Sequence, residues 1–204
     1  QVNVHAIGDQ ATRRMLDAFE RAGTAVRSLR FRDEHVSMVR DEDVARFAQL
    51  GVIASMQPVF VAEYSRFAED RVGSARLPWV YRTRDLALAG VLIAAGTDYP
   101  AADTGEPIAT LYSMVTRRGP SGTPEGGWFP GQRVSIDEAL RAMTVHAAYA
   151  AFEEQDRGAI TVGRRADLTV LSADPYATDD EALRELRVLR TIVGGHVTYT
   201  AAPR

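Results

Sequence analysis

Three residues of this sequence pair a reactive side chain with a place from which it can act. His5 closes the apolar stretch at the start of the chain, His35 closes the next one, and Asp98 follows the most apolar stretch of all, in AAGTDYP. Taken singly, each has an ordinary structural role: a histidine satisfied by hydrogen bonds in a packed site, or an aspartate capping the turn before Pro100. Recurrence at the tips of successive strands points to chemistry instead, because barrel and open α/β enzymes carry their reactive groups there. Two imidazoles and one carboxylate are donors that a divalent ion such as zinc accepts, at about 2.0 to 2.2 Å. A carboxylate outside the core can also move a proton. No metalloprotease motif of the helix-borne kind accompanies them.

Other polar residues read as structural. His146 lies on a helix and reads as a packing or surface histidine, and His196 as a turn or edge position. Glu34 precedes His35, and adjacent strand residues point to opposite faces, so both are not expected inside one barrel. Asp9, after Gly8, reads as a helix N-cap. Tyr81 and Arg82 are within reach of a substrate carboxylate or carbonyl but are expected at the surface. Trp128 and Phe129 read as a loop anchor, with an acyl pocket as the other reading.

The elements that position these residues follow from the patterning. Apolar runs at residues 2–7, 29–35, 52–57 and 91–97 alternate with amphipathic segments, the grammar of βα units and a parallel sheet. Met15, Leu16 and Phe19 share a face of the helix starting near Asp9, and Val44, Phe47 and Ala48 share one over residues 41–50. Residues 58–80 form a long irregular or helical connection, and Gly90 ends the helix before the fourth strand. RRGPSGTPEGGWFPGQR, from Arg117 to Arg133, is too rich in Gly and Pro for helix or strand and is a candidate gate. Ser135 with Glu138 fits a capping box for a helix that continues through Ala150. Residues 159–162, 167–171 and 189–199 read as strands of a separate small sheet.

Composition excludes several classes. With 46% hydrophobic and 25% charged residues, disorder is not expected. The absence of cysteine excludes disulfides, thiolate ligands and a cysteine nucleophile, and is compatible with the cytoplasmic location expected here. All 24 basic residues are arginine, so lysine chemistry is excluded as well. The net charge of -3, with no arginine block set apart from acids, disfavours nucleic-acid binding. The apolar stretch at residues 86–97 is too short to span a bilayer, so no membrane partner is expected. Gln1 leads straight into a strand-like run, from which a fragment of a longer chain is expected.

The runs HAIGDQA, RFRDEHV, GVIASMQP, AGVLIAAGTDYP and GAITVGRRADLTVLSADP resemble successive signatures of the amidohydrolase superfamily, specifically the amidohydrolase 3 group with N-substituted formamide deformylase-like proteins. In the last run Gly158, Gly163, Ala166, Asp167 and Leu168 resemble the strand that returns to the family's small β-sandwich. The resemblance extends from His5 to about Tyr199. It implies an α/β fold: the C-terminal half of a (β/α)8 TIM barrel, strands 5 to 8, over residues 1–155, plus part of a β-sandwich over residues 156–204. It also implies His5 and His35 as metal ligands ending strands 5 and 6, and Asp98, ending strand 8, as metal ligand and proton shuttle. One or two divalent ions, zinc by expectation, would activate a water against a non-peptide carbon–nitrogen bond of an amide, N-acyl or N-formyl small molecule. The family's His-x-His pair and its bridging residue, often a carboxylated lysine, have no counterpart and are expected upstream of Gln1.

Half a barrel leaves strand edges uncovered. A missing N-terminal half or a second copy of the chain, hence a homo-oligomer, is expected to cover them, and the chain alone is expected to be inactive. The competing reading is a non-catalytic scaffold or remnant that has lost its metal site. A phosphate-binding α/β protein is a weaker third, since there is no glycine-rich phosphate loop.

Overall fold

The structure, a computed structural model, describes residues 1–202. Four short strands form a parallel sheet in the order β1 (Asn3–His5), β2 (Arg32–Glu34), β3 (Ile53–Met56) and β4 (Ile93–Ala95). Parallel neighbours need crossovers, and helices supply them. Between β1 and β2 run α1 (Asp9–Ala22) and the single turn α2 (Ala25–Ser28), and α3 (Asp41–Leu50) joins β2 to β3. The longer link to β4 holds α4 (Phe60–Tyr64), α5 (Ala68–Val72) and α6 (Thr83–Leu88). Beyond β4 come α7 (Pro107–Thr116), α8 (Ile136–Met143) and α9 (Val145–Ala150). An antiparallel sheet of β5 (Leu168–Leu171), β6 (Val188–Val193) and β7 (His196–Thr200) follows.

The register of the parallel sheet sorts its side chains onto two faces. Val4, Asp33, Ala54 and Ile93 form one row, and His5, Glu34, Ser55 and Ala94 the next, so the two rows point opposite ways. The first face is packed by helices: Ala54, Met56 and Ile93 share a core with Met15, Leu16 and Phe19 of α1 and Phe47 of α3. The second is thinly covered, by a small cluster of Ile53, Ala94 and Ala150, and leaves Asn3 and His5 exposed. Asp33 therefore sits on the packed face. It is 0% exposed, and burial, opposed only by the Ala6 amide, pushes its pKa up to about 9.

The expected elements are present, with informative departures. The expected strand at residues 29–35 starts only at Arg32, because α2 takes up the preceding turn. The helix from Ser135 has its capping box, but it breaks at Thr144, whose φ of -124° and ψ of -82° separate α8 from α9. Thr144 Oγ1 there donates to the Leu140 carbonyl at 2.7 Å. Helix α7 was not foreseen. Pro107 marks its first turn, but eight of its ten residues are buried, so no amphipathic stripe announces it. Residues 159–162, expected as strand, form none, and Ile160 and Val162 project into solvent at 90% and 103% exposure. The expected strand at residues 189–199 is the β6–β7 hairpin turning at Gly194 and Gly195. Leu183 and Leu186, between β5 and β6, pack into the main core against α7, which ties the antiparallel sheet to the barrel-like part.

Candidate metal centre

His5 and His35 meet. His5 is the last residue of β1 and, by register, points to the open face. His35 follows the last residue of β2, and a φ of 84°, with 48° at Val36, turns the chain out of the strand at that point. Strand alternation, which would set Glu34 and His35 on opposite faces, ends there. Glu34 stays on the face of His5 and pairs with Arg32 at 2.5 Å, while the His35 ring swings over the tip of β1. His35 Nε2 stands 2.8 Å from His5 Nδ1, with ring centroids 4.7 Å apart. The His35 amide donates to the Ser55 carbonyl at 2.9 Å, which holds this turn onto β3.

The second nitrogen of His35 explains how the pair can work. Nδ1 lies 2.9 Å from Gln57 Oε1, and the Gln57 amide nitrogen donates to the Ser55 carbonyl at 3.3 Å. That second bond fixes which end of the amide is oxygen, so Nδ1 must carry the proton and Nε2 keeps its lone pair. At 2.8 Å the His5 Nδ1–H tautomer donates a hydrogen bond to His35 Nε2, and a divalent cation can displace that proton. A hydrogen bond from the outer ring nitrogen is also what orients a metal-binding imidazole. Gln57, 6% exposed at the tip of β3 before Pro58, is the candidate site residue that sequence reading missed. Its position after a strand was the available signal.

Asp98 lies on the same rim, three residues past β4, exposed and with φ of 63°. Its carbonyl accepts from the amides of Ala101 and Ala102 at 2.8 and 3.3 Å, so its backbone closes a turn. Among the described residues, no three His, Asp or Glu side chains form a group that could hold a metal ion. The structure thus brings the two imidazoles together without Asp98. It supplies two of the four donors that zinc takes in a tetrahedral site, on nitrogens of the right kind.

The remaining candidates fall into structural roles. His146 Nδ1 contacts the Ile93 carbonyl at 3.0 Å from α9, and His196 begins β7 in solvent. Asp9 is not the N-cap: Gly8 is, and the Asp9 carboxylate binds Arg40 at 2.6 Å. Neither residue is at the surface: Arg82, its side chain 13% exposed, pairs with Asp41 and Asp85, and Tyr81 is wholly buried against Tyr64. Trp128 and Phe129 pack ring to ring at 5.1 Å, and the Trp128 amide donates to the Arg117 carbonyl, which anchors this loop.

With this geometry in view, the comparisons decide the class. The family model described as "Amidohydrolase family" matches residues 1–199. The chain belongs to the amidohydrolase family. This amidohydrolase chain is 34% identical to Protein LONG AFTER FAR-RED 3 of Arabidopsis thaliana, over 98% of its own length and 34% of that protein's. It is 32% identical to N-substituted formamide deformylase of Arthrobacter pascens, over 96% of its length and 36% of the enzyme's. Among solved structures, an uncharacterized metal-dependent hydrolase from Pyrococcus horikoshii OT3 superposes with a TM-score of 0.76 at 31% identity, covering 89% of this chain and 35% of that one. The amidohydrolase chain spans about a third of the length of these relatives, and its fold is that of the α/β TIM-barrel hydrolases of the family. Among the described residues, no helix is long and apolar enough to cross a membrane.

Proposed function

We propose that this chain carries part of the active site of a metal-dependent hydrolase that cleaves a non-peptide carbon–nitrogen bond in an amide, N-acyl or N-formyl small molecule. The observation that carries the reading is the 2.8 Å approach of His5 Nδ1 to His35 Nε2 at the tips of adjacent parallel strands. The likeness to a formamide deformylase and to a metal-dependent hydrolase supports it. His5 and His35 are metal ligands in this reading, and zinc suits their nitrogens. A bound divalent cation supplies Lewis acidity toward the carbonyl and a nucleophile at neutral pH.

The chain's own residues do the rest. Gln57 keeps His35 in the tautomer that leaves Nε2 free. Asp98, exposed on the same rim, takes a proton from the attacking water and returns it to the departing amine, as general base and then general acid. The outer edges of β1 and β4 are covered by further chain of a longer polypeptide or by a second copy, and the isolated segment turns over little substrate. Assay of N-formyl and N-acyl amines by the longer polypeptide or by the assembled oligomer, with metal analysis of the same preparation, tests the reading. Hydrolysis that falls at least about 100-fold in Asp98→Asn, at unchanged metal content, is expected. Bound metal without hydrolysis of any such substrate refutes the assigned activity.

A second reading, a scaffold of the same fold without catalysis, is favoured by one observation. Among the described residues the two imidazoles gain no third donor. Protein free of metal after equilibration with zinc would establish it.

A further inference from the structure

Between α7 and the antiparallel sheet the fold leaves a cleft of about 610 Å³, within the range of small-molecule sites. Apolar side chains make much of its wall: Pro107 and Ile108 in the first turn of α7, Leu186 and Val188 at the entry to β6. Its cationic groups come from one short segment. Leu183 and Leu186, 1% and 7% exposed, pin that segment to the core, and this sets Arg184 and Arg187 into the cleft. Arg184 lies across Gly122, whose φ is 82°. A Cβ there would stand 2.5 Å from Arg184 Nη1 and 3.9 Å from Tyr112 Oη, so guanidinium and phenol border one point. Arg187 is fixed through its backbone: its amide donates to Ser172 Oγ at 3.0 Å and its carbonyl accepts from the Ser172 amide at 2.9 Å. Its guanidinium pairs with no carboxylate among the described residues. Arg184 Nε stands 3.6 Å from Glu185 Oε1, an exposed contact too long for a hydrogen bond. Glu106, the one carboxylate that lines the cleft, pairs with neither arginine among the described residues, and Glu181, beside Tyr112, is bound by Arg118.

We propose that this cleft binds a small organic monocarboxylate with an apolar body, its acidic group taken by Arg184 and Arg187. Two guanidiniums against one lining carboxylate leave a single net positive charge, which a monoanion balances. A phosphate monoester, with a charge of about -1.5 to -2 at neutral pH, exceeds it. The planar fork of donors on a guanidinium also matches the two oxygens of a carboxylate. The apolar wall takes the carbon skeleton out of water, and Thr191 and Tyr199, on the sheet side, offer hydroxyls to a polar substituent. None of His5, His35, Gln57 and Asp98 lines this cleft, so binding here is independent of the assigned hydrolysis. An occupant touches both α7 and β6, and so strengthens the docking of the antiparallel sheet on the barrel-like part.

Titration calorimetry of the metal-free protein with 4-phenylbutyrate, and with 4-phenylbutan-1-ol as the uncharged comparison, tests this. The acid binds at one site per chain and the alcohol at least about 10-fold more weakly. Arg184→Gln and Arg187→Gln each lower affinity for the acid about 10-fold and leave that for the alcohol unchanged. His35→Ala binds the acid as the wild type does, which separates this cleft from the candidate centre, and a crystal of the complex shows the probe between α7 and β6. Absence of binding, equal affinities for acid and alcohol, full affinity in either arginine variant, or loss of binding in His35→Ala overturns the proposal. So does a longer polypeptide containing this chain that binds no acid, since further chain then fills the cleft. If one arginine variant does not fold, the other variant and the two probes on the wild type still decide.

Discussion

Replacing Asp33 by asparagine should stabilise the protein at neutral pH, and by an amount that grows with pH. Asp33 occupies the packed face of the parallel sheet, wholly buried, with no counter-charge and only the Ala6 amide to oppose its desolvation. Burial moves its pKa from the ordinary 3.8 to about 9. Because the folded pKa lies above the unfolded one, the group's contribution is intact below about pH 4 and is lost as pH rises toward 9. Between those limits folding takes up one proton, so stability falls by about 1.4 kcal/mol per pH unit. At pH 7, roughly three units above the unfolded pKa, the loss is about 4 kcal/mol. Asparagine has the shape without the titration, so Asp33→Asn should match the wild type near pH 4 and exceed it by about that amount at pH 7. Urea unfolding of both proteins, followed by tryptophan fluorescence from pH 4 to 8, measures the difference. Parallel pH profiles would show that Asp33 ionises freely in the native state and refute the reasoning.

Three further outcomes follow from single contacts. Gln57→Leu removes the acceptor that fixes the His35 tautomer, and metal affinity measured by chelator competition should fall about 10-fold with little change in unfolding midpoint. Gly127→Ala should destabilise by at least about 2 kcal/mol in denaturant titration: φ is 81°, and a Cβ would stand 2.2 Å from the Thr116 carbonyl oxygen. Ser135→Ala should cost about 1 kcal/mol in the same assay, through loss of the bond that its side chain accepts from the Glu138 amide.

How far the sequence foretold this molecule depends on which physical signal each element carries. Helices α1 and α3 bury a single stripe, so their 3.6-residue period showed both where they lie and which face is covered. The four parallel strands were visible as apolar runs between helices, but their ends were not: β2 reads RDE, and its limits are set by backbone pairing to β1 and β3 rather than by hydrophobicity. Helix α7 escaped because burial on every side erases periodicity. The same logic runs through the site. His5 and His35 were legible because imidazoles recur after strands, whereas their contact depends on a positive φ at His35 that no local motif announces. Gln57 carries no charge and drew no notice, and the burial of Tyr81 and Arg117 depends on packing among distant segments.

The claim on which the functional account stands is that His5 and His35 grip one divalent cation. Purified protein equilibrated with zinc, freed of excess and analysed for metal, tests it against His5→Ala and His35→Ala. The account predicts zinc retained by the wild type and affinity lowered at least about 10-fold in each variant, with far-ultraviolet circular dichroism unchanged. Equal retention by all three proteins would contradict it.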